Sequence, residues 1–143
     1  MKKSFTLLEL VIVIVIIGIL ATLGFSQYYP LRERALDKEA EANLKLILAA
    51  ERIWRMEDNS NDYYVSAGAD AQAHILAINH DLKLCLSAAD NRNWNYSAVA
   101  DNTADPKTCC IQATRNGSDG RSWHIHSSTT AIPDPQPESD VCS

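Results

Sequence analysis

Ser4-Phe5-Thr6-Leu7-Leu8-Glu9-Leu10 follows Lys2-Lys3 and runs into an apolar stretch, Val11 to Gly24, that no charge interrupts. From Leu10 to Leu31 there is no charged residue. As a helix rising about 1.5 Å per residue, such a stretch covers roughly the 30 Å of a hydrocarbon core. One carboxylate, Glu9, stands at its beginning. An ionisable group costs about 2.5–3.5 kcal/mol at mid-membrane and less near the interface. A chain that keeps one there uses it, so the question is what it pairs with.

Two plainer readings of this segment explain less. An ordinary secretory signal would take Lys2-Lys3 as its basic region, Phe5 to Leu20 as its apolar region and Thr22-Leu23-Gly24 as its cleavage site. Glu9 would then interrupt the start of the apolar region, and the apolar face continues beyond the cut. An uncleaved anchor accounts for the lysines and the apolar run but leaves Glu9 without a purpose.

Beyond Pro30 the character changes. Leu31 to Asp58 is charged, free of glycine and poor in β-branched residues, which favours helix. Leu36, Ala40, Leu44, Ile47, Leu48 and Trp54 recur at helical spacing, and Leu46, Ala50 and Ile53 widen the same face. Glu41 with Lys45 and Glu51 with Arg55 stand at i,i+4, the spacing of surface pairs worth about 0.2–0.5 kcal/mol each. Pro30 lacks an N–H and disfavours helical torsions at Tyr29, so a bend is expected there. The chain thus predicts one long helix, apolar in its first half (5–29) and amphipathic in its second (30–57), whose stripe packs on a head formed by 58–143.

Asp58-Asn59-Ser60-Asn61-Asp62 is a polar helix stop. Tyr63-Tyr64-Val65 then reads as extended, and Ala69 to Asn79 as a short helix with Ala73, Leu76 and Ala77 on one side. Leu82 to Leu86 alternates, as either a strand or a helix tail. Trp94 to Val99, Thr108 to Thr114 and Arg121 to His126 are the clearest strands, with Asn116-Gly117 or Asp119-Gly120 as the turn before the last. A three- or four-stranded antiparallel meander packed on the long helix makes the simplest α+β arrangement. The tail bearing Pro133, Pro135 and Pro137 is expected to lie extended on the surface.

Cys85, Cys109, Cys110 and Cys142 are the four cysteines, and outside the cytoplasm they are disulfide candidates. A vicinal bond between Cys109 and Cys110 is strained, which leaves two pairings open. On a strand these two side chains point to opposite faces, so one can reach Cys85 and the other Cys142. A zinc site would need a C-x-x-C knuckle, and none occurs. His124 and His126 share a strand face without a third ligand placed by the sequence, and the loop aspartates form no EF-hand pattern, so no metal or cofactor is expected. No G-x-S-x-G or comparable nucleophile motif is present, and the small head leaves little room for an active-site pocket, so the chain reads as non-enzymatic. Acids exceed bases by 18 to 13, giving a net charge of −5, with no basic patch that suggests nucleic acid.

The run Ser4-Phe5-Thr6-Leu7-Leu8-Glu9, after a lysine-bearing leader and before a Val/Ile-rich segment containing Gly18, resembles the class III signal of type IV pilins and type II secretion pseudopilins. The resemblance covers roughly residues 1–57. It implies that a prepilin peptidase removes residues 1–4 by cutting between Ser4 and Phe5, and that Phe5 becomes N-methylated. It further implies that Glu9 registers the subunit during assembly. Members of this family usually carry glycine where Ser4 stands, and many carry a helix-kinking proline at the place of Ser26. By this resemblance the chain is an inner-membrane protein with a periplasmic head. Its partners are then the bilayer, an inner-membrane assembly platform, and other copies of itself or minor pilins in an extracellular pilus. A pseudopilin of a periplasmic secretion piston is the alternative, although the Asp-Pro-Trp-Gly-like segment of major pseudopilins is represented only by Asp105-Pro106-Lys107. A tethered binding module that never polymerises is a more distant one.

Overall fold

The computed structural model describes residues 5–117, 120–127 and 136–137. Helix α1 runs over Leu7–Glu57 and α2 over Ala71–Asp81, followed by strands β1 (Trp94–Asp101), β2 (Thr108–Arg115), β3 (Ser122–His126) and β4 (Gln136–Pro137). The chain divides into two compact units, the first ending at Asp37 and the second beginning at Lys38.

The first unit is helical from Leu7 onward. Thr6 starts it: its hydroxyl accepts the Glu9 N–H at 3.2 Å, the bond an N-cap side chain makes to an orphan donor of the first turn. Every large apolar side chain from Leu7 to Leu20 is exposed around the whole circumference. Such a helix has no inward stripe, the pattern of a segment whose apolar surroundings are supplied by something other than its own chain. No single helix among the described residues is long and apolar enough to cross a membrane. The bent pair Leu7–Thr22 and Gln27–Glu57 passes that test only by length and composition taken together across the break between them. Pro30 lies inside α1, beyond that interruption. Its ring and missing N–H act on the carbonyl four residues earlier, that of residue 26.

In the second unit α1 meets a core. Ala40, Leu44, Ile47, Leu48 and Ala50 are buried together with Ile75, Ile78, Leu82, Leu86, Trp94, Tyr96, Ala98, Cys109, Ile111, Ala113 and Ile125. Leu46 and Ile53, expected to widen the same face, are instead about half exposed. At about 100° per residue they lie roughly 150–170° around the helix from the Leu44–Ile47–Leu48 line, so the apolar surface is two stripes and only one of them faces the core. Glu57 ends the helix, Asp58 N–H closes on the Trp54 carbonyl at 2.8 Å, and Asn61 turns the chain with a φ of 56°.

Helix α2 begins two residues later than expected, because Asp70 caps it by accepting the Ala73 N–H at 2.8 Å. Its buried side chains are Ile75 and Ile78, while Leu76 points outward and is 53% exposed. Leu82–Leu86 is neither strand nor helix tail. Lys83 takes a left-handed φ of 56°, and the Asn79 side chain clasps Leu86 through bonds of 2.7 and 2.8 Å to its N–H and C=O. That clasp turns Leu82 and Leu86 into the core, which is what their alternation encoded.

The sheet is an antiparallel meander in the order β1-β2-β3-β4. All three expected strands form, and the short β4 pairs His124 with Gln136 and Trp123 with Pro137. Most of the proline-rich tail and Cys142 lie outside the described residues, as do residues 118–119 of the turn before β3. Gly120, in that turn, has a φ of +61°, a region that favours glycine.

Gly68 serves a different need, close approach. A Cβ there would lie 2.6 Å from the His74 nitrogen and 2.8 Å from the Ala73 carbonyl carbon, both backbone atoms of α2. Neither can rotate away, so Gly68→Ala is expected to destabilise the head by about 1–3 kcal/mol or more. Denaturant titration of the full chain in detergent, followed by tryptophan fluorescence, checks this; an unchanged midpoint would refute the close approach.

Candidate functional site

Two regions carry groups that packing alone does not explain. The first is the start of α1. Phe5 is 71% exposed, and Glu9 is the one acidic residue of the helix's first turn, ringed by exposed Leu7, Leu8, Leu10 and Val13. The sequence Thr6-Leu7-Leu8-Glu9 has the spacing of a capping box, and the Thr6 half of that box is formed. A carboxylate in a first turn also opposes the positive end of the helix dipole. Local chemistry therefore tolerates Glu9 here. It does not require a charge amid this much apolar surface. Ser4, the residue before the expected cut, lies outside the described residues.

The second region is around Glu51. The expected surface pair with Arg55 does not form. Glu51 is fully buried, and Arg55 gives its Nε to Asn61 and its Nη1 to the Tyr63 hydroxyl at 3.0 Å, with its guanidinium 4.7 Å above the Tyr63 ring. Glu41 likewise pairs at i,i+3, with Lys38 at 2.7 Å. Glu51 continues the Ala40–Leu44–Ile47–Leu48 line by one more turn, so the periodicity that marked the core also marked this residue. Charge alone suggested the surface.

One Glu51 oxygen, Oε2, accepts the Tyr64 N–H at 2.9 Å, and the other, Oε1, is buried without a partner. Burial raises Glu51 from an ordinary 4.5 to about 7, an effect the Tyr64 N–H partly offsets. Nearby, burial and then the Glu51 charge push the Cys109 thiol up to about 12.

Cys109 and Cys85 are free thiols, the first buried and the second exposed, so the suggested bond to Cys85 is not made by Cys109. Cys110 is disulfide-bonded. Its sulfur lies 3.6 Å from His126 Nε2, as the β2–β3 register opposite Cys110 requires. His124 and His126 meet edge to face with centroids 5.2 Å apart. Among the described residues no group of three or more His, Cys, Asp or Glu side chains is placed to hold a metal. Asp101 is occupied by its own turn, accepting from Thr103 N–H at 3.0 Å, Thr103 Oγ1 at 2.6 Å and Ala104 N–H at 3.1 Å.

Known proteins sharpen the first region. The family model for the prokaryotic N-terminal methylation motif matches residues 1–25. The chain is similar to the type IV major pilin protein PilA of Myxococcus xanthus, 37% identical over 63 residues. That alignment covers 43% of this chain and 29% of the relative, so the chain spans under a third of the relative's length. No solved structure matches. The methylation motif in the first 25 residues and the likeness to a major pilin, beside a long helix and a small antiparallel sheet, support a type IV pilin or pseudopilin kinship for this chain.

Proposed function

We propose that this chain is a structural subunit of a type IV pilus, held in the inner membrane by α1 and then assembled into a filament through the same helix. The observation that carries this reading is the all-round exposure of Leu7–Leu20 behind a processing motif. Fully apolar helices of this kind suit lipid first and equivalent helices afterwards. The likeness to a major pilin favours a pilus over a secretion pseudopilus.

In this reading a prepilin peptidase cuts between Ser4 and Phe5 and Phe5 is methylated. Removing Lys2 and Lys3 takes the net charge from −5 to −7. Within the filament the Glu9 carboxylate faces the amino terminus of Phe5 on a neighbouring subunit. An ion pair in an apolar core contributes little net stability, because desolvation offsets the attraction, yet a register that leaves either charge alone is heavily penalised. Glu9 thereby sets the register. Cys142 is the partner we assign to Cys110, which staples the tail to β2 in the oxidising periplasm. The subunit performs no catalysis. It works with an inner-membrane platform and with other copies of itself or minor pilins.

Intact mass and N-terminal sequencing, on native protein from membranes and from material sheared off cells, test the proposal. A chain beginning at N-methylated Phe5 is expected in the sheared fraction. The same start confined to membranes would replace the pilus with a pseudopilus, and an intact Met1 or a start near Phe25 would overturn both.

A further inference from the structure

The segment Tyr63–Ser66 lies along the outer edge of β1. At one end Tyr63 N–H donates to Asn102 Oδ1 at 2.8 Å, and Asn102 Nδ2 returns a bond to the Tyr63 carbonyl at 2.9 Å. At the other end Ser66 N–H donates to the Ala98 carbonyl at 3.0 Å, and Ser66 Oγ accepts the Ala98 N–H at 2.9 Å. Between these ends the Tyr64 N–H reaches inward to Glu51, and its ring meets Trp54 edge to face at 5.6 Å. The middle of the strap is thus tied to the head by a buried carboxyl group whose second oxygen has no partner.

We propose that Glu51 is a proton-controlled latch: protonated, it holds the Tyr63–Ser66 strap closed over the β1 edge, and on losing its proton it releases the strap. The neutral acid suits the dry site, and its carbonyl oxygen still accepts the Tyr64 N–H. The carboxylate must regain water, and lifting the strap admits water with far less disruption than unfolding the core.

The groups facing Glu51 do not supply the missing counter-charge. From β2 comes the Cys109 thiol, which stays protonated near neutral pH. From the strap comes Tyr64, whose phenol is bonded to Asp81 at the end of α2 and is raised by burial and by the Asp81 and Glu51 charges. Ser66 carries His74, at 3.0 Å, to the far end of the strap. On α1 itself Arg55 is committed to Asn61 and Tyr63, and Arg52 acts on Cys109.

With Glu51 at 4.5 in the unfolded chain and about 7 in the folded one, its contribution is fully present below about 4.5 and is lost as pH rises through 7. Acidification closes the latch and mild alkalinity opens it. The inference concerns the head alone and holds whether the subunit builds a pilus or a pseudopilus.

Amide hydrogen exchange of the full chain in detergent micelles, corrected for intrinsic rates, tests it. Between pH 6 and 8 the opening equilibrium at Tyr64 is expected to rise about tenfold, and at both pH values Tyr64 is expected to open more readily than the Ile111 amide in β2, which reports unfolding of the core. Glu51→Gln keeps an acceptor without an ionisable group, so Tyr64 should stay protected at every pH. Glu51→Leu removes the acceptor, and Tyr64 should exchange fast at every pH. A flat wild-type profile, the same slope in Glu51→Gln, or an opening equilibrium at Tyr64 no larger than that at Ile111 would each overturn the latch.

Discussion

Glu9→Leu is expected to leave the chain in the membrane and to remove it from the sheared filament fraction, with assembly falling by at least about a hundredfold. An amino terminus left unpaired in an apolar core costs about 3–5 kcal/mol, and every 1.4 kcal/mol is a factor of ten. Membrane insertion should survive, since the substitution makes the segment more apolar. Helix α1 should survive too, because the Thr6 cap bonds the backbone N–H of Glu9 rather than its side chain.

The capping-box spacing offers a competing role, in which Glu9 merely finishes a helix start. Such a cap is worth about 1 kcal/mol and does not depend on a full charge. Glu9→Gln separates the two. It keeps a hydrogen-bonding side chain in the box and deletes the charge, so it should fail to assemble as Glu9→Leu does. Immunoblots of membrane and sheared fractions read both variants. Normal filament yield from Glu9→Gln would return Glu9 to helix capping and remove it from registration.

The N-terminal motif was legible because it is written linearly. Lysines, an apolar run and a carboxylate at fixed offsets need no tertiary contact to be recognised. The three main strands were legible for a related reason: one face of the sheet is buried, so Trp94, Tyr96 and Ala98 alternate with outward residues and no other register fits.

The misreadings arose where the identity of a neighbour decides the outcome. Helical spacing showed that α1 is apolar on one side but could not show where the head stops, so Leu46 and Ile53 were grouped with the core. In α2 the Asp70 cap set the start of the helix, and Ile75 and Ile78 then displaced Leu76 from the inward face. Glu51 was assigned to the surface because charged residues are almost never buried unless paired. Its burial follows from the strap, whose Tyr64 N–H comes from a segment that the sequence announces only as extended, with nothing to show where it lies.

Leu44→Ala and Leu46→Ala, two residues apart on α1, should differ several-fold in their effect on the head. Leu44 has no exposure, and its removal leaves a cavity beside Ile47, Leu48 and Ile75 that the neighbouring strands cannot readily collapse, at a cost of about 2–5 kcal/mol. Leu46 is 46% exposed, and its loss should change head stability by less than about 0.5 kcal/mol. Denaturant titration of the full chain in detergent reports both, with the fully buried Trp94 as the fluorescent probe. If Leu46→Ala proved as costly as Leu44→Ala, the apolar surface of α1 would be one broad face and both residues would belong to the core. If only Leu44→Ala is costly, the stripe through Leu46, Ile53 and Met56 is dispensable for folding. Its exposed apolar surface must then be accounted for by what α1 meets outside its own head, the condition that already holds all around Leu7–Leu20.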